Sequence, residues 1–283
     1  MPHLPENLLR CPLCFGPLEL SGTASSLGCA LGHRFDAAKQ GYFNLLTGKG
    51  TPFQPDTSPM VQARSDFLGA GHYGQLQRAV ADAVQRHIAH PRIILDAGAG
   101  TGYYLAGLER RYPASSLVAL DISKFALRRA AGLIDAGICL VWDVWRTLPV
   151  QDGQVDVIVN IFAPRNPEEF FRVLKPGGVL LVVTPLPGHL EEIAGEARLL
   201  EVRPDKAAGV TTALAGSFHE TESVIVDYSL TLSHTDIYNV ALMGPAGHHL
   251  VASELMARLT ELPERTLASA RFTVQVFRRS LDL

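Results

Sequence analysis

The segment Asp96-Ala97-Gly98-Ala99-Gly100-Thr101-Gly102 constrains this 283-residue chain more than any other. It follows the apolar run Ile93-Ile94-Leu95 and leads into a helical pattern, so it reads as a strand–turn–helix unit. Glycines at such a turn let the backbone bend sharply and approach a bound molecule, with the N-terminus of the next helix behind it. Spacing separates the uses of such a turn. The dinucleotide fingerprint sets its third glycine three residues after the second, whereas Gly102 stands two after Gly100 and Asp96 precedes the cluster.

Strands and helices alternate from there. Strands are predicted at Leu117–Leu120, Cys139–Trp142, Val155–Ile161 and Val179–Thr184, with helices at about 103–111, 124–132 and 168–174. Apolar strands separated by helices predict a parallel sheet covered on both faces. Two helices precede the alternation, one from Met60 to Leu68 and one bearing Leu76, Val80, Val84 and Ile88 on a single face. Antiparallel strands at 223–232 and 272–277 are expected around a helix near 253–259. Gly48 to Pro59 reads as a linker, dividing the chain into a module at 1–50, a linker with helices at 51–90 and an α/β domain at 91–283.

A hydrophobic content of 47% fits a buried core. The longest apolar runs are too short for a bilayer, and Pro2, Pro5, Glu6 and Asn7 interrupt any leader, so a cytoplasmic protein with no membrane partner is expected. The net charge is −3. In the first 60 residues Arg10, Arg34, Lys39 and Lys49 balance Glu6, Glu19, Asp36 and Asp56. No electrostatic footprint for a polyanion shows in that count, so any positive surface must be assembled from scattered residues.

The glycine turn resembles the first motif of class I S-adenosylmethionine-dependent methyltransferases, in which the acid helps hold the methionine end of the cofactor. Asp121 ends the second strand of the alternation, nineteen residues beyond Gly102, where a carboxylate can accept both ribose hydroxyls. Trp142-Asp143 ends the third strand, suiting an adenine face and edge. Leu174-Lys175-Pro176-Gly177-Gly178 precedes the fifth, a turn that recurs in the same class. Strand-end capping explains Asp121 or Asp143 equally well when each is taken alone. Together with the turn they predict a Rossmann-like methyltransferase with a mostly parallel seven-stranded sheet. Asp96, Gly98, Gly100, Thr101, Gly102, Asp121, Trp142 and Asp143 are then the candidate cofactor-binding residues.

Cys11-Pro12-Leu13-Cys14 is followed after fourteen residues by Cys29 and, four further on, His33. Tight C-x2-C knuckles present two thiolates to one ion, and three sulfurs with one imidazole make a standard tetrahedral Zn²⁺ set. A small module has little core of its own, and a structural zinc supplies about 10–16 kcal/mol of apparent binding energy in finger peptides. A disulfide is the competing reading, disfavoured in the cytoplasm. The closed Cys11, Cys14, Cys29, His33 set leaves no open position, so its role would be architecture or docking. Cys139 lies within a strand and reads as a buried small hydrophobe.

The cluster continues into Gly32-His33-Arg34-Phe35-Asp36 and Lys39-Gln40-Gly41-Tyr42-Phe43-Asn44-Leu45-Leu46, then Met60-Val61-Gln62-Ala63-Arg64 and Ala70-Gly71-His72-Tyr73. These segments resemble the 23S rRNA guanine-N1 methyltransferases of the RlmA/TlrB type. Asn160-Ile161-Phe162-Ala163-Pro164-Arg165-Asn166-Pro167 is closer to the tylosin-resistance branch, and Thr184-Pro185 with Gly188-His189-Leu190 continues the match.

The resemblance implies a zinc finger at 1–50 that helps grip a 23S rRNA hairpin near the exit tunnel and the macrolide site. It also implies cofactor contacts from Tyr73, Gly100-Thr101 and His189, and a homodimer. Packing for Tyr73 and helix capping for His189 remain open on sequence alone. Guanine N1 carries a proton and is hidden in a base pair, so the target must be unpaired or flipped out. Phe162 is expected to stack on that guanine and Asn160 or a backbone carbonyl to read its edge; Asn160 and Phe162 are the candidate catalytic residues. No general base stands out. A zinc-bearing methyltransferase of a small molecule or protein, and a non-catalytic S-adenosylmethionine-binding regulator, are the rival readings.

Overall fold

In the computed structural model, residues 4–48, 50–200 and 206–280 are described. Lys49, counted above in the charge balance, and the outermost residues of the end segments lie outside them, as do 201–205. The cysteine module forms a four-stranded antiparallel sheet, β1 (Leu9–Arg10), β2 (Pro17–Leu20), β3 (Ser26–Gly28) and β4 (Arg34–Asp36), in that order. The next strand, β5 (Tyr42–Asn44), leaves the module and enters the main sheet. Helices α1 (Ser58–Gly69) and α2 (Gly74–His87) follow. Thr57 caps α1, its hydroxyl accepting from the Met60 N–H, with Pro59 in the first turn where no amide is needed.

The alternation then runs β6 (Ile93–Ala97), α3 (Tyr103–Arg111), β7 (Ser116–Asp121), α4 (Lys124–Ala130), β8 (Gly137–Val141), β9 (Val155–Ile161), α5 (Pro167–Val173) and β10 (Leu174–Pro185). The remainder is α6 (Lys206–Leu214), β11 (Phe218–Ser233), α7 (His234–Leu242), α8 (Ala252–Leu259) and β12 (Arg265–Arg279). The sheet order is β11-β12-β10-β9-β6-β7-β8-β5. β12 runs antiparallel to both neighbours, and every other pairing is parallel. The seven-stranded sheet expected from the sequence is thus present, and β5 adds an eighth strand at its edge, with Phe43 opposite Leu140.

Two details depart from expectation. The segment Lys175 to Gly178 is a bulge within β10 rather than a turn before it, since pairing with β9 shifts register between Leu174 and Val179. A Cβ on Gly178 would stand 3.0 Å from the Lys175 carbonyl oxygen and 3.1 Å from that of Asp156, so a side chain has no room there. Helix α7 was not anticipated, although Ser233 and Asp236 form a capping box at its start.

The strands of the parallel part are buried on both faces, giving two cores. One lies under α1 to α4, α7 and α8. The other takes in α5, α6 and the zinc module itself, whose Leu8, Leu9, Leu18, Leu27 and Phe35 share a core with Leu140, Trp142, Val150 and Phe170. Backbone bonds join the two: Arg10 N–H donates to the Pro149 carbonyl at 3.1 Å and Gln151 N–H to that of Leu8 at 2.9 Å. The finger is therefore docked, and part of its burial is against the α/β domain.

Candidate active site and metal centre

Strand β6 delivers Asp96 to the carboxyl edge of the parallel sheet, where the chain turns through Gly98 to Gly102 into α3. Gly98 has φ +100°, and a Cβ there would strike the Ala163 methyl at 2.3 Å, so this glycine lets the β9–α5 loop close against the turn. Gly102, at φ +81°, lies against Ala130 of α4, where a Cβ would stand 3.0 Å from its methyl. Thr101 is buried between them.

Asp96 is 2% exposed and its Oδ1 has no hydrogen-bond partner. Burial, then the nearby charge of Asp121, pushes its carboxyl up to about 8. An orphaned carboxylate oxygen beside a glycine turn suits a cationic amino group, the kind carried by the methionine end of S-adenosylmethionine. Asp121 accepts from Gly100 N–H through Oδ2 and from Ser123 N–H through Oδ1, both at 2.8 Å. Burial raises its carboxyl also. Its two oxygens are fixed by backbone at the end of β7, as recognition of a diol would require.

Asp143 is engaged by the linker. Its Oδ2 accepts from the Thr51 hydroxyl at 2.7 Å and its Oδ1 from Trp145 N–H at 3.0 Å. The same segment is held at the Gly50 carbonyl by Arg146 and at the Asp56 carbonyl by the Ser123 hydroxyl, 2.9 Å. Asp56 pairs with Arg64 of α1 at 2.5 Å, and that guanidinium covers Gly100, 3.4 Å from where a Cβ would stand. Residues 50–56 thus form a strap across the edge bearing Asp121 and Asp143. The Trp142 indole does not face this edge. It points with Ile138 and Leu140 into the finger-side core, so an adenine face contact from its ring is not available, and only its backbone reaches the cleft.

Tyr73 precedes α2, and its Oη lies 3.1 Å from His189 Nε2. His189 Nδ1 accepts the Arg271 N–H at 3.1 Å, so a neutral imidazole carries its proton on Nε2 and donates to Tyr73. Burial holds the Tyr73 phenol protonated. The pair therefore presents a hydroxyl of defined polarity, set among Phe67, Phe162 and Phe272.

Asn160 and Phe162 end β9 with opposite exposures. Asn160 is fully buried, and its Nδ2 donates to the Ala97 and Pro164 carbonyls, both at 2.8 Å. Both amide hydrogens are spent holding the loop to β6, which leaves the buried Oδ1, 3.5 Å from Arg165, as the one group this side chain could turn to a base edge. Phe162 is 45% exposed at φ +56°, and its ring lies against Phe272 at 5.6 Å between centroids. A bulky aromatic in the left-handed region is an uncommon, strained conformation of the kind found at ligand sites.

In the finger, the ligand atoms of Cys11, Cys14, Cys29 and His33 all lie within 4.8 Å of one another. Cys14 and Cys29 sulfurs are 3.6 Å apart, and His33 Nδ1 is 3.3 Å from Cys29 and 3.6 Å from Cys11. A disulfide needs about 2.05 Å. Zinc–sulfur bonds of about 2.3 Å in a tetrahedron set sulfurs about 3.8 Å apart, which these distances match. Burial opposes ionisation of Cys29, but backbone N–H groups of His33 and Leu31 outweigh it and lower the thiol to about 7.

Comparison with known proteins agrees with both halves. A model described as "RlmA, N-terminal", a zinc ribbon, matches residues 9–49, and one described as "Methyltransferase domain" matches 94–178. A "23S rRNA (guanine(748)-N(1))-methyltransferase" of Streptomyces fradiae is 41% identical, over 94% of this chain and 95% of the relative. The chain belongs to the 23S rRNA (guanine-N1)-methyltransferase family. A Micromonospora griseorubida protein assigned to the same family is 40% identical over 98% of both chains. Among solved structures, a methyltransferase in complex with the Trm112 activator from Haloferax volcanii shares the fold at TM-score 0.52 and 19% identity, covering 80% of this chain and 99% of its own. A malonyl-[acyl-carrier protein] O-methyltransferase of Coxiella burnetii is 33% identical over only 50% of this chain.

As a member of this family the chain is an S-adenosylmethionine-dependent enzyme with a structural zinc. Three residues to which the sequence assigns no role stand in its cleft: Thr51, Arg64 and Arg165. Arg64 and Arg165 sit inside segments that carry the family likeness, Met60–Arg64 and Asn160–Pro167, which was the available signal.

Proposed function

We propose that the protein transfers a methyl group to N1 of a guanine in a hairpin loop of 23S rRNA, near the exit tunnel, and that the modification confers macrolide resistance of the tylosin kind. The observation that carries the proposal is the end-to-end likeness to the Streptomyces fradiae enzyme, finger included. The O-methyltransferase likeness stops at about half the chain, so substrate choice rests with the finger and the flanking segments. Guanine 748, named for that relative, is the first position to test. Among the described residues no helix is long and apolar enough to cross a membrane, consistent with work on ribosomal RNA in the cytoplasm. The homodimer belongs to the same proposal, with the open edge of β11 and its exposed Ile225 as the surface to examine.

When bound, S-adenosylmethionine supplies an electrophilic methyl group. Asp96 takes the amino group of its methionine end, Asp121 the ribose hydroxyls and Asp143 the adenine edge, while the Gly98 to Gly102 turn lets backbone approach. Tyr73, oriented by His189, closes the methionine end. Asn160 acts as a positioning residue: it ties the loop to the Ala97 carbonyl and so sets Phe162 where an unpaired base can stack. Holding base and methyl group in line accounts for about 7–11 kcal/mol of barrier lowering in well-oriented reactions. Cys11, Cys14, Cys29 and His33 hold zinc and give the finger its shape.

The test is incubation with labelled S-adenosylmethionine and unmodified large-subunit RNA, naked and in particles, followed by mapping of the modified base. Label at a hairpin-loop guanine N1 is expected. Label on no RNA in either form overturns the proposal.

A further inference from the structure

The reaction proposed above needs guanine N1 to lose a proton, and no side chain at the end of β9 is placed as a general base. Asn160 is spent on backbone carbonyls. Arg165 stands beside it instead. Its NH1 lies 3.5 Å from Asn160 Oδ1 and 3.3 Å from the Ala163 carbonyl, both long contacts. It is half-buried and makes no ion pair among the described residues. Arg64 faces Asp56 and Arg172 faces Glu169 and Asp152, while Arg146, Arg278 and Arg279, also half-buried and in no ion pair among the described residues, each have a close backbone carbonyl instead. Desolvation lowers the affinity of Arg165 for its proton, and no carboxylate pairs with it among the described residues.

Its backbone is also fixed. Asn166 caps α5, accepting from Glu169 N–H, and donates to the Val144 carbonyl at 3.0 Å, with Pro167 next. On the other side Ala163 presses on Gly98 of the cofactor turn. A guanidinium with unspent donors is thus held on the loop that carries Phe162.

We propose that Arg165 donates to O6 of the target guanine and stabilises the amidate formed when N1 loses its proton, so that the enzyme works by making the base more acidic at N1 instead of using a side-chain base. This rests on the guanine-N1 reading. The N1 proton passes to solvent, and the pair left behind is shared between N1 and O6. That pair forms the new N–C bond while the methyl–sulfur pair returns to sulfur. A partly desolvated cation aimed where charge develops is the arrangement that stabilises such an anion.

The experiment compares wild type, Arg165→Ala and Arg165→Lys under single turnover with 23S rRNA across pH, alongside S-adenosylmethionine and RNA binding. Loss of one such donor costs about 100- to 1,000-fold in turnover. The alanine variant is expected to fall in that range, with its rate still climbing at pH values where wild type has levelled, and with cofactor affinity kept. The lysine variant, retaining charge without the fork, should fall between. Asp96, Asp121, Asp143, Tyr73 and His189 are unchanged in all three proteins, so a difference between their pH profiles is assigned to position 165. A loss confined to RNA affinity, with the pH profile unmoved, makes Arg165 a phosphate contact and overturns the inference; so does unchanged turnover. If the alanine variant fails to fold, the lysine variant decides by the same pH criterion. Wild type that labels no guanine defeats the parent reading instead, a distinct result.

Discussion

The finger and the cofactor cleft are preorganised in different ways. In the finger the four ligand atoms already converge at zinc-like distances, because two tight knuckles and the β3–β4 hairpin leave them nowhere else to go. In the cleft the polar groups are in place but occupied by the protein itself: Asp121 by Gly100 and Ser123, Asp143 by Thr51. Of these three carboxylates, Asp96 keeps an oxygen without a hydrogen-bond partner. A metal site can be built with its ligands idle, since the ion is acquired once and kept. A site for a cofactor that comes and goes holds substitutes for it.

Removing the metal should break the comparison most severely. Chelation, or Cys11→Ser, removes the finger's staple, worth about 10–16 kcal/mol in isolated fingers. Because Leu9 and Phe35 share a core with Val150 and Trp142, loss of zinc is expected to lower the melting temperature of the whole chain and abolish RNA binding. A finger that melts separately, leaving the α/β domain unchanged, would show the two regions to be independent.

Asp96→Asn tests the unanswered oxygen. Hydrogen bonds to charged groups contribute about 1.5–3 kcal/mol, so cofactor affinity should drop roughly 10- to 150-fold, read by calorimetry. The pH sign follows from a carboxyl raised to about 8 from 3.8. Between those values the folded state holds a proton that the unfolded state has lost, so stability falls as pH rises through that window. The asparagine variant lacks that slope, and its melting temperature should gain on wild type from pH 5 to pH 8. Parallel curves would mean Asp96 is ionised in the free protein.

Asn160→Ala and Phe162→Ala separate support from contact. The first strips a donor from two carbonyls, at about 1–3 kcal/mol for each one left buried and unsatisfied, and should cost stability and turnover together. The second removes a half-exposed ring and should cost RNA methylation with little change in melting. Equal stability losses would place Phe162 with the core. The smallest effect is expected from Thr51→Val. It removes the hydroxyl's bond to Asp143 and the longer one it accepts from Phe53 N–H, each about 0.5–1.5 kcal/mol, and cofactor affinity should rise by no more than the first of these. A fall would make Thr51 a cofactor contact.

Much of this was legible. The strands from Ile93 to Thr184 and the helix at Tyr103–Arg111 follow from apolar runs and the glycine turn, and the zinc ligands follow from their spacing. Side-chain direction was harder. In strands buried on both faces hydrophobicity does not mark inside from outside, so Asn160 read as a base contact although it points back to the Ala97 carbonyl. Trp142 is different, because its parity with Ile138 and Leu140 was there to be counted. The strap was invisible for another reason: Gly, Pro and Thr between 50 and 57 mark irregular backbone but not what it lies against. Helix α7 had its capping box in plain letters at Ser233 and Asp236.

The eighth strand bears on how such proteins can be recombined. β5 emerges from the zinc module and shields the flank of β8, so deleting the module together with β5 would leave a parallel strand with bare amides, an invitation to self-association. Exchange of fingers between relatives, whether by evolution or in the laboratory, therefore has a natural seam after Asn44 rather than after His33. A graft cut there carries its own sheet edge with it, and delivers the new recognition surface already attached to the wall of the cleft.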